Sequence, residues 1–97
     1  MNIPLRRLGK SDLQISPLGL GCWQFSKQAG LVGKYWPPLS DEDTCKIVKA
    51  SIDGGINWFD TAEIYGRGKS EQGLADALKK NGVQPGKVIV ATKWWPI

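Results

Sequence analysis

Histidine is missing altogether from the 97 residues, cysteine occurs twice and methionine once. Without histidine, and with Cys22 and Cys45 outside any metal-ligand spacing, the sequence offers no metal site. The two cysteines read as free thiols in a reducing compartment. No apolar run approaches the ~20 residues that span a bilayer. The opening Met-Asn-Ile-Pro-Leu-Arg-Arg-Leu lacks the apolar core of a signal peptide. A cytoplasmic location with no membrane partner is the expectation. Thirteen basic against nine acidic residues give a net charge of +4, yet no run of Lys or Arg is longer than two. Such scatter argues against a nucleic-acid partner, while mild positive charge suits an anionic small molecule. No internal repeat or low-complexity segment is present.

The remainder has the composition of a folded domain, 41% hydrophobic and 23% charged, which argues against disorder. Length leaves room for one domain at most. A chain of this size buries a little over ~60% of its extended surface, so its stability margin is thin.

Leu5 to Leu8 and Leu13 to Ser16 flank the turn-rich Gly9-Lys10-Ser11-Asp12 and predict a β-hairpin ended by Pro17. Leu18-Gly19-Leu20-Gly21 reads as a strand whose alternating glycines leave space for a neighbouring backbone or ligand. The connection from Cys22 to Leu39 has no periodicity and contains Pro37-Pro38, the pattern of a functional loop. Its aromatics Trp23, Phe25, Tyr35 and Trp36 either wall an apolar pocket or anchor the loop to the core. Trp23, two residues past the strand, is the better placed for a pocket.

Ser40 with Asp43 predicts a capping-box-like helix start, and Asp41, Glu42 and Asp43 complement the helix dipole. Thr44, Ile47, Val48, Ser51 and Ile52 recur at the spacing of one buried face, and Gly54-Gly55 stops the helix. Ile56 to Phe59 is the next strand and delivers Asp60. Ser70 predicts a second N-cap, Leu74, Ala75 and Leu78 its buried face, and Asn81-Gly82 its end. Val88 to Thr92 is a continuous apolar strand, as in a parallel sheet covered on both faces. Alternating strands and helices predict βαβ units in an α/β fold. The pattern alone leaves both a barrel and a doubly wound sheet open.

Asp60, Tyr65 and Lys93 stand at or just beyond the ends of successive strands, where right-handed crossovers would gather them on one edge. A free phenol titrates near ~10, too high for ready proton donation near neutrality. An adjacent ammonium favours the phenolate, and a carboxylate can orient that ammonium, so the three residue types together suit general acid catalysis. Singly, Asp60 reads as a helix cap, Tyr65 as a loop aromatic and Lys93 as a surface charge. Gly66-Arg67-Gly68 fits neither nucleotide-binding fingerprint and reads as turn chemistry. Glu71 reads as a first-turn acid, and Glu63 as structural.

Asp-Thr-Ala-Glu-Ile-Tyr-Gly-Arg-Gly-Lys-Ser-Glu, residues 60–71, and the strand end Ala91-Thr92-Lys93 strongly resemble the aldo-keto reductases, and the likeness covers essentially the whole chain. The resemblance implies the N-terminal third of a (β/α)8 TIM barrel. Residues 1–97 would form a partial domain, with 1–17 the hairpin capping the barrel bottom and 18–97 the first three parallel strands and two helices. It implies reduction of an aldehyde or ketone to an alcohol by hydride from the reduced form of NADP, with NAD not excluded, and Asp60, Tyr65 and Lys93 as catalytic residues. Gly21, Cys22 and Trp23 match the segment beside the nicotinamide, and Asp60 also borders its ribose. Cys22 stands where the family often has threonine. Trp23 and Trp94 would line the pocket for a small-molecule carbonyl substrate, and either Trp94 or Trp95 would border that cleft. The family's catalytic histidine and its 2′-phosphate segment have no match here, so an incomplete, inactive part of the enzyme is the expectation. The alternative is a non-catalytic, cofactor-binding regulatory protein on the same scaffold.

Overall fold

The computed structural model describes residues 3–27 and 39–94; Tyr35, Trp36, Pro37-Pro38 and Trp95 lie outside the described residues. Arg6–Arg7 (β1) and Gln14–Ile15 (β2) pair antiparallel. Their turn is closed by Ser11, whose hydroxyl donates to the Leu8 carbonyl at 2.6 Å. Leu20–Gly21 (β3), Trp58–Asp60 (β4) and Ile89–Ala91 (β5) form a parallel sheet in that order. Asp41–Asp53 (α1) lies between β3 and β4, and Lys69–Lys80 (α2) between β4 and β5, as parallel neighbours require.

The start of α1 follows from its sequence. Ser40 Oγ accepts from the Asp43 N–H at 3.0 Å, with Asp41, Glu42 and Asp43 filling the first turn. Its inward face carries buried Thr44, Val48 and Ser51, with Ile47 and Ile52 packed on the core. Phe59, fully buried at the middle of β4, is enclosed by Cys22, Phe25, Val48, Leu74 and Ala77. Burying one such side chain stabilises by about 1.5–3 kcal/mol. Asn81 ties the end of α2 to α1, its Nδ2 donating to the Ala77 carbonyl at 2.8 Å and the Cys45 carbonyl at 3.2 Å.

The hairpin is fastened where β4 begins. Asn57 N–H donates to Ser16 Oγ at 3.1 Å, Ser16 N–H donates to Asn57 Oδ1 at 2.8 Å, and Asn57 Nδ2 donates to the Gln14 carbonyl at 2.9 Å. Trp58 Nε1 donates to the Ser16 carbonyl at 3.0 Å. Its indole occupies the space that Gly19 leaves: a Cβ added there would stand 2.3 Å from the ring. The glycine spacing therefore serves a side chain at Gly19, whereas Gly21 faces open space.

Three local expectations change. Ser70 does not cap α2; Gly68, at φ +89°, is the N-cap and Ser70 lies inside the first turn, fully buried. Ala75 is exposed, and Ala77 holds the inward position beside Leu74. Ala75 instead borders an open apolar groove shared with Leu78, Val88 and Val90. Val90 is 46% exposed, so β5 is not covered on both faces by the described residues. It is the sheet's outer strand here, and no described strand pairs with its far edge.

Candidate functional site

Register sets the site. Gly21 is level with Asp60, and Asp60 with Ala91, so the residues following all three strands emerge on one edge. Hydrogen bonds extend this alignment past the strands: Cys22 N–H donates to the Asp60 carbonyl at 2.8 Å, Thr61 N–H to Ala91 at 2.8 Å and Glu63 N–H to Lys93 at 3.1 Å.

At this edge Lys93 Nζ donates to Asp60 Oδ1 at 2.6 Å and to the Thr61 carbonyl at 2.8 Å. The same ammonium lies 5.3 Å from the centre of the Tyr65 ring, within cation–π range. Tyr65 is stacked with Trp23, centroids 5.9 Å apart and planes 26° from parallel. Asp60 and Lys93 side chains are about half exposed, at 47% and 53%, as a site open to a ligand requires. The hydrogen bond from Lys93 to Asp60 raises the lysine pKa above its ordinary value; burial opposes this, and the Asp60 charge and the Tyr65 phenol add to the rise. Lys93 is thus held as an ammonium.

The Tyr65 turn has a conformation that its glycines permit. Gly66, Arg67 and Gly68 all take left-handed φ, at +70°, +55° and +89°. A Cβ on Gly66 would come 2.4 Å from the Ser26 carbonyl oxygen, so glycine lets this turn rest on the short 3-10 helix Trp23–Ser26. Trp23 and Tyr65 are thereby brought side by side.

Beneath the edge runs a buried hydroxyl chain. Ser70 Oγ donates to the Cys22 carbonyl at 2.5 Å and lies 2.7 Å from Thr61 Oγ1. Since the single Ser70 hydroxyl proton is used on Cys22, Thr61 is the donor of the second bond. This chain ties α2 to the ends of β3 and β4. The cap that the sequence predicts at Ser70 gives no sign of this chain, because three separated residues must meet for it to exist. Glu71 is also more than a first-turn acid, because Thr92 Oγ1 donates to its Oε2 at 2.7 Å.

Of the residues singled out by sequence, Trp23, Asp60, Tyr65 and Lys93 converge, with Gly21 beside them. The Cys22 side chain does not join them. It lies fully buried in the core, where burial first, and the Asp60 charge second, push its thiol pKa to about 12 against a lowering backbone hydrogen bond. Held as a thiol there, it is unsuited to redox sensing. Trp94 follows Lys93 but is 76% exposed. Among the described residues no group of three or more His, Cys, Asp or Glu is placed to hold a metal, and no helix is long and apolar enough to cross a membrane.

The family model of the aldo/keto reductase family matches residues 17–97. Among solved structures, the chain is similar to an aldo-keto reductase from Bacillus halodurans in its holo form, at 31% identity and a TM-score of 0.72, covering 94% of this chain and 26% of that one. A glycerol dehydrogenase from Gluconobacter oxydans gives 32% identity and 0.66, covering 95% and 25%. A thermostable aldo-keto reductase in complex with the inhibitor epalrestat gives 29% and 0.75, covering 97% and 32%. The chain thus spans about a quarter to a third of the length of these relatives. Its hairpin, three strands and two helices are a sector of their TIM-barrel fold.

Proposed function

Because this chain belongs to the aldo/keto reductase family, we propose that it contributes the proton-donating side of a site that reduces an aldehyde or ketone to an alcohol with NADPH, Tyr65 acting as general acid. The observation that carries this reading is the Lys93 ammonium, held by Asp60 at 2.6 Å and set against the Tyr65 ring at 5.3 Å.

Tyr65 gives its hydroxyl proton to the carbonyl oxygen as that oxygen gains charge. The negative charge left on the phenol is stabilised by Lys93 beside it. Asp60 and the Thr61 carbonyl keep Lys93 charged and aimed, which makes Asp60 an orienting partner rather than a proton donor. Because Lys93 has a raised pKa, its ammonium persists through neutrality, and its help is lost as pH rises through that elevated value.

The residues present fit the nicotinamide end of a dinucleotide, which NADP and NAD share. Gly21 presents bare backbone at the β3 end with open space where a Cβ would stand, and Trp23 and Asp60 flank it. Those three would hold the ring and its ribose; the cofactor supplies the hydride. Trp23 stacked on Tyr65 gives the substrate side an aromatic wall, suited to a carbonyl with an apolar portion, and Trp94 would close the far side of that pocket. Cys22 contributes through its backbone position alone, since its thiol faces the core.

The test is Tyr65→Phe in the full-length protein carrying these residues, with carbonyl reduction and cofactor binding measured together. Turnover should fall by about 10²-fold or more while NADPH binding is unchanged. Unaltered turnover would reject Tyr65 as the acid; a wild-type protein that binds cofactor without turnover would favour a regulatory role instead.

A further inference from the structure

We propose that Glu71 is a positioning residue for Lys93, acting through the Thr92 hydroxyl. The proposal rests on the proton-donating role of the site given above.

Regular pairing of β5 ends at Ala91, two residues short of Lys93. Lysine carries a flexible four-carbon stem, and this one is half exposed, so its root must be fixed for its ammonium to remain between Asp60 and Tyr65. The Glu63 N–H bond to the Lys93 carbonyl is one restraint. The other comes from the neighbouring residue: Thr92 Oγ1 donates to Glu71 Oε2 at 2.7 Å, across 21 residues of sequence.

Adjacent residues of an extended segment point to opposite faces. Thr92 turns to α2 and Lys93 to Asp60, Thr61 and Tyr65. Holding Thr92 on the helix side therefore holds Lys93 on the cleft side, and a slip of one residue would exchange them. Glu71 is well placed to serve as the anchor, since it stands in the first turn of α2, next to Ser70, whose buried hydroxyl chain fixes that turn to β3 and β4. One helical turn thus reaches all three strand ends.

The groups facing Lys93 are Asp60 at the end of β4 and Tyr65 in the following turn; Glu71 bonds to Thr92 and does not figure among the causes of the lysine shift. Position and charge can therefore be separated. The Lys93 13Cε resonance, assigned with Lys93→Arg, is titrated by NMR in the full-length protein and in four variants, with circular dichroism as the check of fold. Thr92→Val keeps the shape of an exposed, β-branched side chain and removes the donor. Glu71→Ala removes the acceptor. In both, the elevation of the Lys93 titration above free lysine should be lost. Thr92→Ser and Glu71→Gln keep a donor and an acceptor and should retain it.

Retention of the full elevation in folded Thr92→Val overturns the proposal, as does its loss in Glu71→Gln, which would make Glu71 a charge partner. Carbonyl reduction measured on the same samples separates the two readings. A protein without turnover whose Lys93 titration follows this pattern refutes the reductase role and supports the positioning.

Discussion

Ser70→Ala tests the hydroxyl chain beneath the site. Ser70 is fully buried, receives a bond from Thr61 and donates one to the Cys22 carbonyl. Stranding a buried polar group costs about 1–3 kcal/mol. The Cys22 carbonyl keeps the Phe25 N–H at 3.0 Å, so its loss belongs at the low end; the Thr61 hydroxyl, buried with no acceptor, belongs higher. Alanine returns at most about 0.5 kcal/mol of helix propensity. The net loss should be about 2 kcal/mol, or roughly 10 °C in Tm for a domain of this size. Thr61→Val removes a donor but leaves Ser70 bonded to Cys22, and should cost about 1 kcal/mol. In the double variant no hydroxyl is left stranded, so its cost should be lower than the sum by about 1 kcal/mol. Urea unfolding of wild type, both single variants and the double variant measures all four. Additivity within about 0.3 kcal/mol would refute the chain as one cooperative unit.

Three further outcomes follow from the geometry. Gly66→Ala should cost about 2–5 kcal/mol, since it combines left-handed strain with a clash against the Ser26 carbonyl. Gly68→Ala, also at positive φ but with nothing near, should cost about 1–2 kcal/mol; equal losses on urea unfolding would contradict the close approach. Cys22 should resist alkylation at about pH 8 in the native protein while Cys45 reacts, and peptide mapping that finds both modified at one rate would place Cys22 wrongly. Since its pKa is raised from 9.0 to about 12 on folding, the folded state binds the extra proton between those values. Its contribution to stability is whole below about pH 9 and is lost as pH climbs towards 12.

The ends of α1 are legible because a cap is a local interaction: Ser40 reaches an N–H only three residues on, and Gly54-Gly55 follow the last turn. The same logic misleads at Ser70, where a serine ahead of a helical pattern resembles a cap. Its hydroxyl instead meets partners 9 and 48 residues away, and spacing gives no sign of them. Asp60, Tyr65 and Lys93 stand out as a motif, but the contact joining Lys93 to Asp60 spans 33 residues and depends on strand register. Gly19 and Gly21 announce empty space without saying what fills it; Trp58 does so at Gly19. The exposure of Ala75 and Val90 was hidden from the sequence because an apolar run records a wish for cover and not the element that supplies it.

The Asn57 latch has a consequence for the order of assembly. Its bonds to Ser16 and Gln14 join residues 41 and 43 apart, and all of α1 lies inside that span. Closing a loop of this length costs entropy before any bond repays it, and contacts of such separation slow folding. The hairpin can form early from its own turn, but it docks only when the chain has built α1 and returned to start β4. The amide of Ser16 therefore marks the completion of that return, and its protection from solvent exchange should appear late, after the amides of α1.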